Sequence, residues 1–295
     1  MSQEKEAYKA EKQAHLPWRE RSYWRLRRWL TPGLRNAQYA YFSVLDETLQ
    51  DGDRWLELGC GRRIAPAWLR HASRIEQALL ARAGEVVGVD PDAQALADNL
   101  LPMTHHLGTA EHVPEPDACF DLITANMVVE HLEQPQEVLR EASRLLRPGG
   151  RILFHTPNRW YPVTAMAAMV PDMLRNRLTA WLEKRDLKDI YPTRYRMNSV
   201  ASIRYSAKFA GLEVESIIQT ADSPESLRLG PLVAPELILI AMTRSRMLQR
   251  MQSNMIVTLR KPLENKDTLL NLTSRPLTTK EFDRQRESEH CGAAA

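Results

Sequence analysis

Cysteines and long apolar runs are scarce in this chain of 295 residues, and each shortage excludes a class of protein. The three cysteines, Cys60, Cys119 and Cys291, are widely spaced without a Cys-X-X-Cys pair, which argues against a disulfide framework and a zinc site. The first residues lack the apolar core of a signal peptide, and no apolar run approaches the roughly 18 residues that span a bilayer. We therefore expect a soluble or peripheral protein of the reducing cytoplasm without a metal.

The charge is also low, which narrows the possible partners. A net charge of +3 and a pI of about 8.8 are mild for a dedicated nucleic-acid binder.

A hydrophobic content of 43% allows a full core, and the length suits one elaborated domain. We predict a helical extension over residues 1–50, a catalytic domain over 51–262, and a polar tail over 263–295 that is disordered.

Strand and helix patterns alternate through the middle of the chain. Two helices, near 19–30 and 36–49, come before the alternation. It is typical of parallel strands joined by helical crossovers and predicts a doubly wound α/β sheet. The predicted strands lie near 54–58, 85–89, 104–107, 120–125 and 152–154, and the helices near 66–82, 92–100 and 135–146.

The second half departs from strict alternation. Residues 160–201 contain a methionine-rich helical stretch and a tyrosine-rich turn, which we interpret as an inserted cap over the sheet. A helix near 202–210 and strands near 212–218 and 254–259 follow. They leave a second insertion near 220–252.

The most informative motif is a pair of neighbouring strand ends. One strand ends in Glu57-Leu58-Gly59-Cys60-Gly61, where glycines let the backbone approach a ligand closely. The next strand ends on Asp90, whose carboxylate can accept hydrogen bonds from both ribose hydroxyls. A glycine turn alone also closes ordinary strand-helix junctions, and Asp90 could instead cap a helix. Together the two ends indicate a nucleoside site.

Further motifs extend this pattern. They are Gly108-Thr109-Ala110-Glu111, then Phe120-Asp121-Leu122-Ile123, Glu130-His131-Leu132, and Pro148-Gly149-Gly150 before a strand. With them the chain resembles the class I S-adenosylmethionine-dependent methyltransferases, in the small-molecule group that includes quinone-biosynthesis enzymes. The resemblance covers residues 50–160. It implies a seven-stranded, mostly parallel, Rossmann-like sheet with an antiparallel edge.

The resemblance also implies roles in binding S-adenosylmethionine. The turn of Gly59, Cys60 and Gly61 lies beside the methionine part, Glu57 helps to hold its amino group, and Asp90 holds the ribose. Many relatives have Gly-Asp-Ala where this chain has Gly108-Thr109-Ala110. The adenine contact is therefore expected from Glu111 or the backbone of Ala110. Asn126 ends the fourth strand at the same edge of the sheet.

The acceptor side is less defined. His131 and His155 are candidate general bases, because histidine titrates near neutral pH and both follow strand ends. Each could equally be a packing or backbone-bonded residue. The expected acceptor pocket contains side chains from the cap and the end of strand five, although tyrosines there could simply pack: Asn158, Tyr161, Tyr191, Arg194 and Tyr195.

Two segments suggest contact with a membrane surface. Arginines alternate with Trp18, Trp24 and Trp29, and residues 231–242 are apolar except for Glu236. A solvated helix face is the plainer interpretation. We expect an enzyme that methylates a small or lipid-linked acceptor, most readily at oxygen; the alternative is a non-catalytic protein that binds S-adenosylmethionine or supports a partner enzyme. The motifs disfavour a nucleic-acid methyltransferase and a nicotinamide-dependent dehydrogenase.

Overall fold

A computed structural model describes residues 25–34, 36–170, 191–222 and 233–263. The described residues up to Lys261 belong to one compact unit. Residues 25–30 are helical. The other α-helices of these ranges are α1 (Ala37–Thr48), α2 (Ala72–Arg82), α3 (Ala93–Ala97), α4 (Pro135–Leu145), α5 (Pro162–Ala168), α6 (Val200–Phe209) and α7 (Val233–Thr243).

Seven strands form one sheet in the order β3-β2-β1-β4-β5-β7-β6. The first five in this order are parallel, and β7 runs antiparallel to both β5 and β6. This confirms the predicted doubly wound sheet with its antiparallel edge. The strands are β1 (Arg54–Leu58), β2 (Glu85–Asp90), β3 (Thr104–Leu107), β4 (Phe120–Asn126), β5 (Leu146–Pro157), β6 (Glu213–Thr220) and β7 (Asn254–Arg260).

The strand order reverses beside β1. The chain proceeds from β1 outward to β2 and β3, then returns to place β4 on the other side of β1. At such a switch point the crossover helices leave the sheet on opposite faces, so a crevice opens above the carboxyl ends of the strands. The ends of β1, β2 and β4 therefore line one crevice.

Helices cover both faces of the sheet. Alternate residues of a strand point to opposite faces, so Trp55 joins one hydrophobic cluster and Leu56 the other. The cluster with Trp55 includes Tyr41, Phe42 and Leu45 of α1, all buried. The other cluster includes the apolar stripes of α4 and α6. The predicted extension helix thus contributes to the core of the sheet.

Three predicted elements have different bounds. The helix predicted near 66–82 begins at Ala72, and the helix predicted near 92–100 ends at Ala97. Strand β5 is longer than predicted and includes Pro148-Gly149-Gly150, because Leu146 pairs with Phe120 and Gly149 N–H donates to Lys261 O. Parts of the cap and of the second insertion, residues 171–190 and 223–232, lie outside the described residues, as does the tail beyond 263.

Helix α2 begins later than predicted because the Glu76 side chain binds residues that precede it. This buried carboxylate accepts hydrogen bonds from the Ala65 N–H at 2.9 Å and from Arg63 Nη2 at 2.7 Å. Both donors precede the helix, so residues 62–71 fold back onto it in turns instead of extending it. A buried carboxylate with these partners is costly to remove because it leaves the donors unpaired.

We predict that Glu76→Ala lowers the free energy of unfolding by about 3 kcal/mol, since it leaves the Arg63 guanidinium and the Ala65 N–H without their acceptor. The matched control is Glu137→Ala, which removes an exposed pair with Arg140 in α4 and should cost less than about 0.5 kcal/mol. Urea unfolding of both variants measures the difference. Equal effects would show that Glu76 does not hold the 62–71 turns.

Candidate functional site

The turn after β1 has a backbone that favours glycine. Gly59 and Gly61 have φ angles of +68° and +46°, in the left-handed region. A Cβ at Gly59 would lie 2.4 Å from Val128 Cγ2, so the turn packs closely against the segment that follows β4. The turn therefore brings bare backbone to the middle of the crevice.

Asp90 and Asn99 hold this turn from both sides. The Gly61 N–H donates to Asp90 Oδ2 at 2.9 Å, and Asn99 Nδ2 donates to the Gly61 carbonyl at 2.9 Å. Asp90 Oδ1 accepts from the Asp92 N–H at 2.8 Å. A carboxylate has about four lone-pair sites, so Asp90 keeps acceptor capacity for a pair of hydroxyls.

Glu57 ends in a buried polar cluster beneath the turn. Its carboxyl is 1% exposed and accepts a hydrogen bond from the Thr124 hydroxyl, which in turn accepts from the Trp55 indole N–H. Burial raises the pKa of Glu57 to about 8, partly offset by the Thr124 hydrogen bond. A cationic amino group nearby would favour the charged form, so this carboxyl fits the amino group of a methionine moiety.

The other expected cofactor residues lie near the same edge. Cys60 is buried, and a Cβ at Gly88 would lie 2.7 Å from its sulfur, so its side chain packs into the sheet and only its backbone lies in the turn. Burial raises the pKa of its thiol to about 12. Ala110 and Glu111 are half-buried and follow Gly108, whose N–H donates to the Asp90 carbonyl.

His155 lies inside the protein. It is 1% exposed, its Nδ1 lies 3.0 Å from Asn126 Oδ1, and its Nε2 lies 3.2 Å from Asn254 Oδ1. Burial lowers the pKa of His155 to about 4, so the ring is neutral at pH 7. Its ring stacks on Tyr41 with centroids 5.8 Å apart. These contacts favour positioning over proton transfer.

The His155 contacts belong to a closed circuit of polar contacts, which we call the polar ring. It joins α1, the ends of β4, β5 and β6, and the start of β7. Asn126 Nδ2 donates to Gln38 Oε1 at 2.9 Å, Asn36 Nδ2 donates to Asp222 Oδ1 at 2.7 Å, and the Gln38 N–H closes the circuit by donating to Asn36 Oδ1 at 2.9 Å. Its members in order are Asn36, Asp222, Ser253, Asn254, His155, Asn126 and Gln38.

His131 has an arrangement suited to a base. Its side chain is 30% exposed, and its Nδ1 lies 3.0 Å from the Pro192 carbonyl. A carbonyl only accepts, so Nδ1 carries the proton and Nε2 keeps its lone pair. Glu130 Oε1 lies 3.9 Å from Nε2, and burial raises the pKa of Glu130 to about 7. An imidazolium at His131 would therefore have a carboxylate nearby.

The expected acceptor residues divide into two groups. Asn158 and Tyr161 are buried: Asn158 Nδ2 donates to two backbone carbonyls at 2.9 Å, and the Tyr161 hydroxyl lies 3.5 Å from Glu236. These contacts stabilise the fold. Tyr191, Arg194 and Tyr195 instead lie along the crevice beside His131.

Sequence reasoning missed four residues that shape this site. The side chains of Gln38 and Thr124 orient Asn126 and Glu57, Asn99 holds the glycine turn, and the backbone N–H of Asp92 donates to Asp90. Gln38, Thr124 and Asn99 are distant in sequence from the groups they contact, so no local pattern reveals them. Asp92 could have been identified from the sequence, since an aspartate before a short helix is typical of an N-cap.

Comparison with known proteins shows the family to which the chain belongs. Residues 34–216, more than half of the chain, match the family described as "Methyltransferase domain". The chain belongs to this family. The class is S-adenosylmethionine-dependent, and the buried Glu57, the glycine turn and Asp90 fit that cofactor.

Individual relatives are distant. The chain is 30% identical over 137 residues to a 37.1 kDa protein in transposon TN4556 of Streptomyces fradiae, covering 44% of this chain and 37% of that protein. It is 23% identical to ubiquinone biosynthesis O-methyltransferase of Proteus mirabilis, covering 46% of this chain and 62% of that one. The chain thus spans only about 37–62% of these two relatives.

A solved structure with a similar fold is geranyl diphosphate C-methyltransferase from Streptomyces coelicolor A3(2). The alignment has a TM-score of 0.49 and 16% identity, and it covers 76% of this chain and 77% of that one.

We predict that Glu57→Gln reduces the pH dependence of stability. A carboxyl whose pKa is raised from 4.5 to about 8 stabilises the fold fully below pH 4.5, and this stabilisation is lost as pH rises through about 8. Between pH 6 and 8.5 the wild type should lose about 2 kcal/mol more than the variant. Chemical unfolding at both pH values measures this, with the exposed Glu137→Gln as control. Parallel losses in all three proteins would contradict the prediction.

Proposed function

We propose that this protein transfers the methyl group of S-adenosylmethionine to an oxygen of a small or lipid-linked acceptor in the cytoplasm. The observation that carries the proposal is His131. Its tautomer is set by the Pro192 carbonyl, and it lies on the wall that packs against the glycine turn. A hydroxyl acceptor needs a proton acceptor beside the sulfonium, and a half-exposed imidazole with a lone pair on Nε2 can supply it.

The residues around the glycine turn bind the cofactor, and a separate residue transfers the proton. Glu57 holds the amino group, Asp90 accepts from the ribose hydroxyls, and the backbone of Gly59 and Gly61 leaves room for the methionine chain. Ala110 or Glu111 contacts the adenine, and Asn126 is held close to these groups by Gln38. The bound cofactor supplies an electrophilic methyl group. Alignment is then the main requirement for an in-line displacement.

Proton transfer is assigned to His131. Its Nε2 takes the hydroxyl proton as the oxygen–carbon bond forms and the carbon–sulfur bond breaks. The Glu130 carboxylate stabilises the imidazolium that results, because opposite charges 3.9 Å apart attract strongly at a half-buried site. A non-catalytic S-adenosylmethionine-binding protein would need Glu57 and Asp90 but would not need this dyad.

An exposed surface beside the acceptor side supports a lipid-linked acceptor. Ile238 and Met242 of α7 are exposed, and the next residues include exposed Arg244, Arg246 and Arg250. From Leu237 to Leu263 the sequence contains no Asp or Glu. The Arg250 carbonyl accepts a hydrogen bond from Asn158, which ties this surface to the end of β5.

Apolar side chains flanked by arginines are typical of segments that lie on anionic bilayers. In the described ranges no helix is long and apolar enough to cross a membrane. The proposal is therefore peripheral contact. Of the aromatic-basic stretch near the amino terminus, Trp18 and Trp24 lie outside the described residues, while Trp29 is exposed.

We predict that His131→Asn lowers methyl transfer at least 100-fold while S-adenosylhomocysteine affinity changes less than about twofold, because the asparagine amide can still donate to the Pro192 carbonyl while the proton acceptor is lost. His71→Asn is the matched control. His71 is exposed with φ at 65°, a conformation that asparagine accepts readily. A screen of hydroxylated small molecules and quinol-type lipids with radiolabelled cofactor gives the rates. Wild-type turnover in His131→Asn would remove this residue from the mechanism.

We predict that Met242→Glu reduces co-sedimentation with phosphatidylglycerol vesicles at low salt about fivefold. A carboxylate at this position is unfavourable both in the apolar acyl region and beside the anionic headgroups. Phe209→Glu, at an exposed position of α6, should bind vesicles like the wild type. Absence of wild-type binding would exclude peripheral contact. It would leave methyl transfer to a soluble acceptor in place.

A further inference from the structure

The strand order places the carboxyl end of β1 between two walls of the crevice. Since β1 separates β2 from β4, the segment after β2 and the segment after β4 stand on opposite sides of the glycine turn. Asp92 belongs to the first wall, two residues beyond Asp90. His131 and Glu133 belong to the second. Any short segment bonded to both walls must cross the carboxyl end of β1.

Residues 191–196, which we call the strap, make this crossing. On the β2 side, the Tyr191 hydroxyl donates to Asp92 Oδ2 at 3.3 Å. On the β4 side, the Pro192 carbonyl accepts from His131, and the Arg194 and Tyr195 N–H groups donate to the Glu130 carbonyl at 2.6 and 3.1 Å. Four groups of the strap, one side-chain hydroxyl and three backbone groups, therefore bind one wall or the other.

The two attachments are unequal. The β4 side has several backbone hydrogen bonds and an ion pair of Arg194 Nη2 with Glu133 at 2.7 Å. On the β2 side, the Tyr191 hydroxyl is bonded to Asp92. The Tyr191 ring also lies against His131, with centroids 6.0 Å apart, and is 44% exposed. The strap is thus attached on both sides of the glycine turn, and we call the bond of Tyr191 with Asp92 the latch.

The acceptor of the latch is itself well held. Asp92 Oδ1 accepts from the Gln94 and Ala95 N–H groups as the N-cap of α3, leaving Oδ2 toward Tyr191. The hydrogen bond from the Ala95 N–H is the largest cause that lowers the pKa of Asp92. The carboxylate is therefore charged at neutral pH. Hydrogen bonds to a charged acceptor are stronger than neutral ones.

This placement changes the role of Tyr191. We expected it in the acceptor pocket, yet its hydroxyl is bonded two residues from the carboxylate assigned to the ribose. We propose that Tyr191 is a positioning residue for the cofactor: its bond to Asp92 holds the strap across the crevice and slows cofactor dissociation. The inference rests on the proposed function, because it takes Asp90 and the glycine turn as the cofactor site.

The test compares S-adenosylhomocysteine binding to full-length wild type and Tyr191→Phe. Calorimetry gives Kd, and stopped-flow displacement gives the dissociation rate. The variant lacks only the hydroxyl, so Kd and the dissociation rate should both rise about three- to tenfold with an unchanged melting temperature. Tyr205→Phe, at an exposed position of α6, is the matched control and should behave as wild type.

A double-mutant cycle identifies the partner. Asp92→Asn keeps an N-cap side chain, so α3 is retained while the charged acceptor is lost. If the two groups act through one bond, the double variant should bind no more weakly than the weaker single variant. Additive effects would overturn the assignment of Asp92 as the latch.

The outcomes separate this inference from the proposed function. Tight binding by the wild type with no change in Tyr191→Phe overturns the role of Tyr191 and leaves the cofactor site intact. A raised acceptor KM with unchanged cofactor Kd also overturns it and returns Tyr191 to the acceptor pocket. Absence of binding by the wild type overturns the proposed function and this inference together.

Discussion

The hydrogen bond from the Gly61 N–H to the Asp90 carboxylate is the contact on which the site depends. It joins the turn after β1 to the end of β2 and so fixes the spacing between the backbone proposed to face the methionine part and the carboxylate proposed to face the ribose. Asn99 holds the same turn through its carbonyl. Because Gly59 and Gly61 adopt these φ angles without a Cβ penalty, the turn is held rigid by its partners and not by its own side chains.

Burial makes the two acidic groups of the site harder to ionise than surface carboxylates. Glu57 and Glu130 both have raised pKa values because they lie away from water. A nearby cation would shift each toward the charged form; in the proposed mechanism this cation is the ligand's amino group for Glu57 and an imidazolium for Glu130. The protein accepts lower stability at high pH in exchange for carboxyls that respond to their ligands.

Much of the fold could be predicted from sequence, because buried parallel strands and their crossovers repeat on a local scale. The strands near 54–58 and 85–89 needed only apolar runs and glycine turns. The bounds of α2 could not be predicted, since they depend on Glu76 binding residues 11 and 13 positions earlier. The Tyr191 bond joins residues 99 positions apart. The motifs could name Asp90 and His131, but not the side chains that orient them.

The polar ring has a consequence for the order in which the protein assembles. Its members come from α1, near the beginning of the chain, and from β7, about 220 positions later. The strands that carry the glycine turn and Asp90 leave the ribosome early, whereas the ring closes only when residue 254 has been synthesised. A nascent chain can therefore hold a formed glycine turn while His155 and Asn126 still lack their final partners.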